Sequence, residues 1–271
     1  MKKVIKKVTP PIFLDILKNL KFKIGNNNIP RWYVVKSGPV KEREILVNSN
    51  NIYYQQMIRG VYDSYLYEHF DLNKMHNKII IDVGSHIGYH TLGFSNMVGN
   101  DGKVYAIDPN PFNLDRLAKI KDRNSIENIY IKNVALSDRI GKAQFAFSPN
   151  VDNMTSSGGY IKGSDTPLND IVYKKAGFIN KTVRVITLDN LISEDKYKEI
   201  ALLKIDVEGH EANVLRGCVN ILKQGAPIVL VEIHTIKAMY DVSEFIHQIG
   251  YKSEIVYQEE DGRLFLKYYK N

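Results

Sequence analysis

The sequence predicts an α/β domain built on a doubly wound, mostly parallel sheet with helices on both faces. From residue 79 onward, short apolar runs alternate with segments of helical periodicity, which is the pattern of such a sheet. Runs such as KIIIDVG and GKVYAIDP are continuously apolar and end in Gly or Pro, as buried strands do. The length of 271 residues and the hydrophobic content of 44% are sufficient for one domain with a large core.

The predicted elements follow one another in a regular order. The predicted strands are KIIIDVG, GKVYAIDP, IYIKNVAL, the extra strand KAQFAFS, ALLKIDVEG and PIVLVEIH. The predicted helices are HIGYHTLGFSNMVG, PFNLDRLAKIKDR with Pro111 in its first turn, HEANVLRGCVNILKQG and VSEFIHQIG. The runs YKSEIVY and RLFLKYY, joined through Asp261 and Gly262, predict an antiparallel C-terminal hairpin.

Two segments depart from this pattern and define the predicted domain organisation. Residues 1–70 are expected to form a basic helical or extended segment that packs on the core, and residues 71–271 the main domain. Within that domain, residues 149–182 are polar and rich in Gly, Ser and Asn. Their length and composition predict an insertion with a functional role.

The net charge of +7 is concentrated at the N-terminus. The first 44 residues contain eleven Lys or Arg and three Asp or Glu, so the remainder is nearly neutral. Phe13, Ile16, Leu17, Leu20 and Ile24 recur at helical spacing. Such a basic amphipathic helix can dock its apolar stripe on the domain, which we favour, or lie on an anionic membrane.

Cysteine content and hydropathy predict a cytoplasmic protein and leave open a peripheral position at the inner face of the membrane. Cys218 is the only cysteine in the sequence, so no intramolecular disulfide can form, which suits a reducing compartment. No segment offers the roughly 20 apolar residues that span a bilayer. Charged residues interrupt the apolar run near the N-terminus, unlike a signal peptide.

Acidic and glycine residues at the ends of the first two predicted strands indicate a cofactor site. The turn Asp82-x-Gly84-x-x-x-Gly88 follows the first strand, and Gly84 permits a tight turn and close approach of a ligand. His86 replaces the second glycine of a dinucleotide fingerprint, and Asp82 would repel phosphates. A cationic ligand such as S-adenosylmethionine therefore fits better than a pyrophosphate. Asp108, at the end of the next strand, can accept hydrogen bonds from both hydroxyls of a ribose.

Charged side chains at the ends of two later strands indicate a catalytic site. Asp206 and Glu208 follow one strand, and Glu232 and His234 end its expected neighbour. Residues two apart on a strand share a face, so the two strand ends would bring carboxylates and an imidazole together. Such a group can serve as the base that an alkyl hydroxyl requires. Asp206, Glu232 and His234 also form a donor set that suits Mg²⁺ or Mn²⁺.

A structural role for these side chains is the alternative. Glu208 and Glu211 would also stabilise the first turn of the following helix. Lys204 could neutralise a neighbouring acid, and Glu232 could bond backbone amides. For His210, the sequence supports a catalytic and a structural role equally.

In this order, the motifs resemble a known family. DVGSHIGYHT, VYAIDPNP, NVALSD and LLKIDVEGHEANVLRG look like the FkbM family of S-adenosylmethionine-dependent methyltransferases, in which Asn is more common at the position of His86. The resemblance implies a seven-stranded class I methyltransferase sheet with an antiparallel last strand, and O-methylation of sugar or polyketide hydroxyls. It also implies that the cofactor is held by Asp82, Gly84, Ser85, Gly88 and Asp108, with the adenine near Asn133 to Asp138.

The sequence therefore predicts an S-adenosylmethionine-dependent O-methyltransferase for a small-molecule or glycan acceptor, with sugar nucleotides among the candidates. A nucleic-acid methyltransferase is the alternative that the basic N-terminus raises, but the core shows no basic stripe with interleaved aromatic residues. A nicotinamide-dependent oxidoreductase is disfavoured by the glycine spacing, and a non-catalytic binding module by the crowded acids. The sequence leaves homo-oligomerisation open.

Overall fold

The computed structural model describes residues 29–152, 157–166, 170–259 and 262–270. The predicted amphipathic helix before residue 25 and the hairpin residue Asp261 lie outside them. The strands are β1 (Arg31–Val34), β2 (Glu44–Val47), β3 (Ile79–Val83), β4 (Lys103–Ile107), β5 (Ile129–Lys132), β6 (Ala135–Leu136), β7 (Gly141–Phe147), β8 (Tyr160–Ile161), β9 (Ile179–Ile186), β10 (Ile200–Ile205), β11 (Ile228–Ile233), β12 (Lys252–Gln258) and β13 (Leu264–Tyr269). The α-helices are α1 (Ile52–Arg59), α2 (Leu72–Met75), α3 (Tyr89–Val98), α4 (Pro111–Arg123), α5 (Asp170–Lys175), α6 (Leu188–Leu191), α7 (Glu211–Arg216) and α8 (Ile236–Gln248). Two 3₁₀ helices (Ser64–His69 and Glu194–Glu199) and one π-helical turn (Ile221–Gly225) complete these elements.

The central sheet has seven strands in the order β5-β4-β3-β10-β11-β13-β12. The first five are mutually parallel, whereas β13 pairs antiparallel with both β11 and β12. The predicted mostly parallel, seven-stranded sheet with an antiparallel C-terminal hairpin is therefore confirmed. From β3 the chain proceeds through β4 to β5 on one side of the sheet, and later through β10 to β11 on the other side. The carboxyl ends of β3 and β10 therefore flank the crevice where ligands bind in such folds.

Successive residues of the central strands pack into two apolar cores on opposite faces of the sheet. Ile81 and Leu203 belong to the core that includes residues of α7 and α8. Ile80 and Leu202 belong to the core that includes residues of α3 and α4. Because a strand directs alternate side chains to opposite faces, both faces must be apolar, which explains the continuous apolar runs in the sequence.

Two predicted helices differ from those observed. HEANVLRGCVNILKQG forms α7 and a separate π-helical turn, because Asp189 interrupts it. The amide of Asp189 donates to the Gly217 carbonyl at 3.1 Å, and its carboxylate accepts from the Ile221 amide at 3.1 Å. Helix α8 begins earlier than predicted, because the Thr235 hydroxyl accepts from the Ala238 amide at 3.0 Å and caps its first turn.

The segment predicted as a polar insertion, residues 149–182, contains regular structure. Strands β6, β9, β7 and β8 form a second sheet in that order, and β8, α5 and the start of β9 lie within the segment. Tyr160, Tyr173 and Phe178 form a small core of their own. These few aromatic residues give the described part of the segment an order that its polar composition did not predict.

The described part of the N-terminal segment, residues 29–70, packs on the face of the sheet that carries α3 and α4. Val35, Ile45, Tyr54 and Met57 are buried in that core. Strands β1 and β2 pair antiparallel with each other and form a separate small sheet. In the part of the chain that the structure describes, no helix has the length and apolarity to cross a membrane.

A buried ion pair joins α4 to two other segments. Arg116 Nη2 lies 3.0 Å from Asp152 Oδ2, and Nη1 of the same guanidinium donates to the Leu46 carbonyl at 2.7 Å. Beside it, the Tyr54 hydroxyl donates to the Val151 carbonyl. One helix side chain therefore holds both β2 and the beginning of the insertion.

Arg116→Met should lower the free energy of unfolding by about 3 kcal/mol, because it leaves Asp152 buried without its counterion. The side chains of this pair are 11% and 10% exposed, against 58% and 65% for Lys119 and Asp115 on the same helix. Lys119→Met is thus the control, with an expected loss of about 0.5 kcal/mol. Urea denaturation measures both variants, and equal losses would contradict a structural role for Arg116.

Candidate active site

The carboxyl ends of β4, β3, β10 and β11 bring predicted site residues to one edge of the sheet. Asp108 directly follows β4, and Gly84 directly follows β3. Asp206 and His234 directly follow β10 and β11. The turns after β3 and β10 are in contact, since the Asp206 amide donates to the Val83 carbonyl at 3.1 Å.

A pocket with about 620 Å³ of empty space opens beside these turns. This space includes the open mouth of the pocket. Of the predicted residues, Gly84, Asp108 and Asp206 line it. The run expected near the adenine contributes Val134, Ala135 and Leu136, and the insertion contributes Ser157, Gly159 and Ile161. Other lining residues, which the sequence did not indicate, include Ile107, Asn110, Asn113 and Phe145.

The turn after β3 depends on two residues with positive φ. Gly84 has a φ of 76°, and a Cβ there would lie 1.8 Å from the Asp206 carbonyl oxygen, so only glycine fits. His86 has a φ of 50°, a conformation that Asn and His adopt more readily than most residues. Burial lowers the pKa of His86 to about 4, so this imidazole is neutral at physiological pH.

Asp108 holds the pocket wall together through its hydrogen bonds. Its carboxylate accepts hydrogen bonds from the His86 amide at 2.9 Å, the Asn110 amide at 2.7 Å and Asn113 Nδ2 at 3.3 Å. Burial nevertheless raises the pKa of Asp108 to about 6. A carboxylate has about four acceptor positions, and three are used, so roughly one remains for a ligand hydroxyl. The sequence predicted hydrogen bonds from two ribose hydroxyls. Asn113 Oδ1 is a further acceptor, since it is buried and has no partner among the described residues.

Asp82, Ser85 and Gly88 lie behind the pocket lining. Asp82 is fully buried, where it accepts from the Thr91 hydroxyl at 2.6 Å and lies 3.4 Å from Lys204 Nζ. The Ser85 hydroxyl is buried and has no partner among the described residues. Gly88 begins α3, where a Cβ would meet a leucine side chain of α4 at 2.2 Å. The structure thus places these three residues where they support the turn.

Asn133 and Asp138 flank the pocket wall, and neither is part of it. The wall is formed by the apolar residues 134–136 between them. Asn133 Nδ2 donates to the Asp108 carbonyl at 3.1 Å, and Asp138 Oδ1 accepts from the Ser137 hydroxyl at 3.0 Å. The run NVALSD therefore presents an apolar surface to the pocket.

The four residues predicted to be catalytic meet around the imidazole of His234. Its Nε2 lies 3.6 Å from Asp206 Oδ1, 3.6 Å from Glu208 Oε1 and 3.5 Å from Glu232 Oε1. Its Nδ1 lies 3.3 Å from Glu211 Oε1. Burial would lower the pKa of His234, but the surrounding carboxylates raise it well above its usual value. We refer to these five residues as the acid cluster.

The carboxylates of the acid cluster differ in charge state. Burial, reinforced by Asp206, raises the pKa of Glu232 to about 8, and burial raises that of Glu208 to about 6. Burial would also raise the pKa of Asp206, but Lys204 and His234 outweigh it, and that pKa is lowered. Asp206 is therefore ionised at neutral pH while Glu232 is largely protonated.

Lys204 and Arg263 supply positive charge to the site. Lys204 Nζ lies 3.4 Å from both Asp82 Oδ1 and Asp206 Oδ2. Arg263 Nη1 lies 2.6 Å from Glu232 Oε1. From the sequence, Lys204 was expected only to neutralise a neighbouring acid. Arg263 was not predicted, because a turn residue so distant in sequence from Glu232 carries no local signal.

The segment before β3 forms polar contacts with His90 and lies near the acid cluster. Asp63 Oδ2 lies 3.3 Å from His90 Nε2, and the Tyr67 hydroxyl lies 3.1 Å from His90 Nδ1. Burial, followed by the charges of Asp63 and Glu232, raises the pKa of Tyr62, so its hydroxyl lies within the field of these acids. Sequence periodicity gave no signal for these residues.

Part of the insertion forms the outer wall of the pocket. His210, which lines the pocket, lies 2.9 Å through Nδ1 from the Ser164 hydroxyl and 2.9 Å through Nε2 from the Ser137 hydroxyl. The Asp165 carboxylate accepts from the Thr235 hydroxyl. The segment from Ser157 to Asp165 thus connects the cofactor side of the pocket with the start of α8.

Asp206, Glu232 and His234 also satisfy the geometric requirement for a shared cation. Each offers one ligand atom, and these atoms lie within 4.8 Å of one another. Two carboxylates and one imidazole are compatible with Mg²⁺ or Mn²⁺. Against this, a ligating imidazole must be neutral, whereas the cluster favours its charged form, and Arg263 already bonds Glu232.

The order and direction of the central strands, with a pocket at the switch point and acids after the central strands, define a class I methyltransferase. The FkbM methyltransferase domain matches residues 82–253. The hexuronic acid methyltransferase AglP of Haloferax volcanii is 30% identical over 183 residues, which cover 68% of this chain and 67% of that protein. The chain belongs to the FkbM methyltransferase family.

One solved methyltransferase structure is similar in fold. The methyltransferase FkbM of Methylobacillus flagellatus has a TM-score of 0.50 and 16% identity over 71% of this chain, which spans only 43% of that longer chain. A Streptococcus mutans methyltransferase in complex with SAH, which is S-adenosylhomocysteine, aligns over 74% of this chain and 95% of its own, with 13% identity and a TM-score of 0.44. Membership of the FkbM family makes the protein an S-adenosylmethionine-dependent methyltransferase, which decides against the oxidoreductase alternative.

Gly84→Ala should abolish S-adenosylmethionine binding and destabilise the fold, because the new Cβ would lie 1.8 Å from a backbone oxygen. Gly177→Ala is the control. Gly177 has a similar φ of 86°, but none of the described residues lies within 4 Å of the position that its Cβ would occupy, so it reports backbone strain alone, about 1–2 kcal/mol. Calorimetric titration and thermal unfolding measure both variants. Retained cofactor affinity in Gly84→Ala would contradict the close contact of the two turns.

Proposed function

We propose that this protein transfers the methyl group of S-adenosylmethionine to a hydroxyl of a sugar, with hexuronic acids as the first candidates. The observation that carries the proposal is the position of Asp206, which lines the cofactor pocket and also belongs to the acid cluster. A hydroxyl bound at the acid cluster would therefore lie beside the methyl donor. The relative AglP, a hexuronic acid methyltransferase, supports the choice of acceptor.

The pocket residues fit the chemistry of the cofactor. Asp108 and the unpartnered Asn113 Oδ1 offer acceptors for ribose or adenine donors, and the apolar residues 134–136 offer a surface for the base. Gly84 leaves the backbone open to the ligand, while Asp82, Ser85 and Gly88 hold the turn from behind. When bound, S-adenosylmethionine supplies a methyl group that its sulfonium already activates. The protein must then align the acceptor oxygen and accept its proton.

Asp206 and Glu232 are suited to these two tasks. Asp206 is ionised at neutral pH, so it can accept the hydroxyl proton as the acceptor oxygen takes the methyl group. Glu232, largely protonated because burial and Asp206 raise its pKa to about 8, can orient the same oxygen through a hydrogen bond. Glu208 and His234 hold these carboxylates in place. In the alternative arrangement, Asp206, Glu232 and His234 hold Mg²⁺ or Mn²⁺, which would acidify the hydroxyl.

The predictions about partners concern the N-terminus, the insertion and the acceptor. Residues 1–24, which carry most of the excess positive charge, would steer an anionic acceptor or attach the enzyme to an anionic membrane. The insertion at residues 149–182 would serve as a rim over the acceptor, which its contacts with His210 and Thr235 support. Homo-oligomerisation and a sugar-nucleotide acceptor stay predictions, and a nucleic-acid acceptor is not expected.

Asp108→Ala should weaken S-adenosylmethionine binding by about 2–4 kcal/mol, because it removes a charge-assisted hydrogen bond and releases the amides that shape the wall. Asp101→Ala, an exposed acid at the opposite end of β4, should leave the affinity unchanged. Calorimetry gives both affinities, and thermal unfolding shows whether each variant is folded. Unchanged affinity in folded Asp108→Ala would refute the assignment of the pocket.

Asp206→Asn should lower turnover by about 10²–10⁴-fold while cofactor affinity stays nearly unchanged, because the amide keeps the shape but cannot accept the proton. The assay uses methyl-labelled S-adenosylmethionine with methyl glycosides of hexuronic acids, neutral hexosides as comparison, and sugar nucleotides. If a divalent ion takes part, chelator abolishes activity and Mg²⁺ or Mn²⁺ restores it.

The outcomes separate the alternatives. If chelator has no effect on activity and Asp206→Asn is inactive, Asp206 acts as the base and no metal takes part. If Asp206→Asn turns over normally, the base and the metal hypotheses are both refuted, and the role of Asp206 is structural. A wild-type enzyme that methylates none of the sugars refutes the proposed acceptor class, whatever the variants do.

A further inference from the structure

Two segments outside the matched residues 82–253 meet beside the acid cluster. The first contains Tyr62 and Tyr65, before β3, and the second contains Tyr257, near the end of β12, and Arg263. The rings of Tyr65 and Tyr257 stack with their centroids 3.9 Å apart and their planes inclined by 27°. Residues almost two hundred positions apart in the sequence thus form one aromatic surface.

Hydrogen bonds fasten this surface to the catalytic residues. The Tyr65 hydroxyl donates to Glu259 Oε1 at 2.8 Å and lies 3.4 Å from Asp63 Oδ1. Arg263, whose carbonyl accepts from the Glu259 amide at 2.9 Å, donates to Glu232 at 2.6 Å. A continuous chain of contacts therefore runs from the aromatic pair to the acid cluster.

Strand order places the aromatic surface on the side of the acid cluster away from the cofactor. β12 runs parallel to β11, because both pair antiparallel with β13, so Tyr257 lies at the same edge of the sheet as the other strand ends. Along that edge come the cofactor pocket at β4 and β3, the acid cluster at β10 and β11, and then Tyr257 at β12. An acceptor whose hydroxyl reaches the acid cluster opposite the methyl donor would extend its remaining atoms towards the tyrosines.

A second observation indicates that this region receives a polar ligand. Tyr89 is buried, and its hydroxyl has no hydrogen-bond partner among the described residues. The ring of Tyr62 packs edge to face against it, with centroids 5.6 Å apart. A buried hydroxyl without a partner costs free energy, and a hydroxyl or water brought in by a ligand would satisfy it once Tyr62 shifts.

We propose that Tyr62, Tyr65, Tyr89 and Tyr257, which we call the tyrosine wall, form the subsite for the ring of the acceptor sugar. A pyranose has apolar C–H faces that pack on aromatic rings, and hydroxyls that donate to carboxylates such as Asp63 and Glu259. This subsite rests on the proposed function and specifies where the acceptor binds. Three of the four tyrosines lie outside residues 82–253 and Tyr89 lies within them, so the acceptor would be selected largely by segments outside the family domain.

Tyr257→Ala tests the subsite, because Tyr257 contributes its ring at the surface, where it is 41% exposed. The KM for the hexuronic acid methyl glycoside should rise about two- to tenfold, with the KM for S-adenosylmethionine and the unfolding temperature nearly unchanged. Tyr257→Phe keeps the ring and should restore the KM. Tyr130→Ala is the matched control, since Tyr130 is also 41% exposed and stacks on Tyr105 at 5.4 Å, at the opposite edge of the sheet.

Tyr89→Phe is the second variant, since it removes the unpartnered hydroxyl and should keep the fold intact while raising the acceptor KM. An active wild-type enzyme with an unchanged acceptor KM in both Tyr257→Ala and Tyr89→Phe overturns the subsite and leaves the proposed function standing. An equal rise of the acceptor KM in Tyr130→Ala also overturns the subsite, because the effect of losing a tyrosine ring would then not be local. Failure of the wild-type enzyme to methylate any sugar overturns the proposed function, and the subsite with it.

Discussion

The contact between the turn after β3 and the turn after β10 is the interaction on which the rest of the site depends. Gly84 lies so close to the Asp206 carbonyl that no side chain fits between them. Lys204 reinforces this contact, with Nζ 3.2 Å from the Gly84 carbonyl and 3.4 Å from the Asp206 carboxylate. The cofactor turn and the acid that faces the acceptor are therefore held by one pair of neighbouring parallel strands, which is a more rigid support than a loop.

The folded protein tolerates many buried carboxylates because cations are buried with them. Isolated buried charges are costly, and pairing offsets much of that cost. Lys204, Arg263 and a protonated His234 face the acids at close range. The balance is incomplete, so burial and Asp206 raise the pKa of Glu232 to about 8, and the cluster retains a proton. A hydroxyl or a cation arriving at this position would meet both an ionised acceptor and a protonated donor.

The matched domain and the segments around it contribute different parts of the site. Residues 82–253 contain the pocket and the acid cluster. The segment before β3 and the C-terminal hairpin add three members of the tyrosine wall, Tyr62, Tyr65 and Tyr257. The hairpin also adds Arg263, which bonds Glu232. A division between a domain that binds the donor and peripheral segments that contact the acceptor is therefore physically reasonable.

The sequence by itself determined the fold class and most of the residues at the strand ends, because both depend on local patterns. Continuous apolar runs followed by Asp108, Asp206 or His234 specify buried parallel strands whose ends meet at one edge. Local patterns did not specify the order within the insertion or the interruption that Asp189 causes in the helix after His210. Only the tertiary structure decided the contact of Arg263 with Glu232, the stacking of Tyr65 on Tyr257 and the pKa of about 8 at Glu232. These depend on desolvation and on side chains brought together from distant parts of the chain, which no short stretch of sequence encodes.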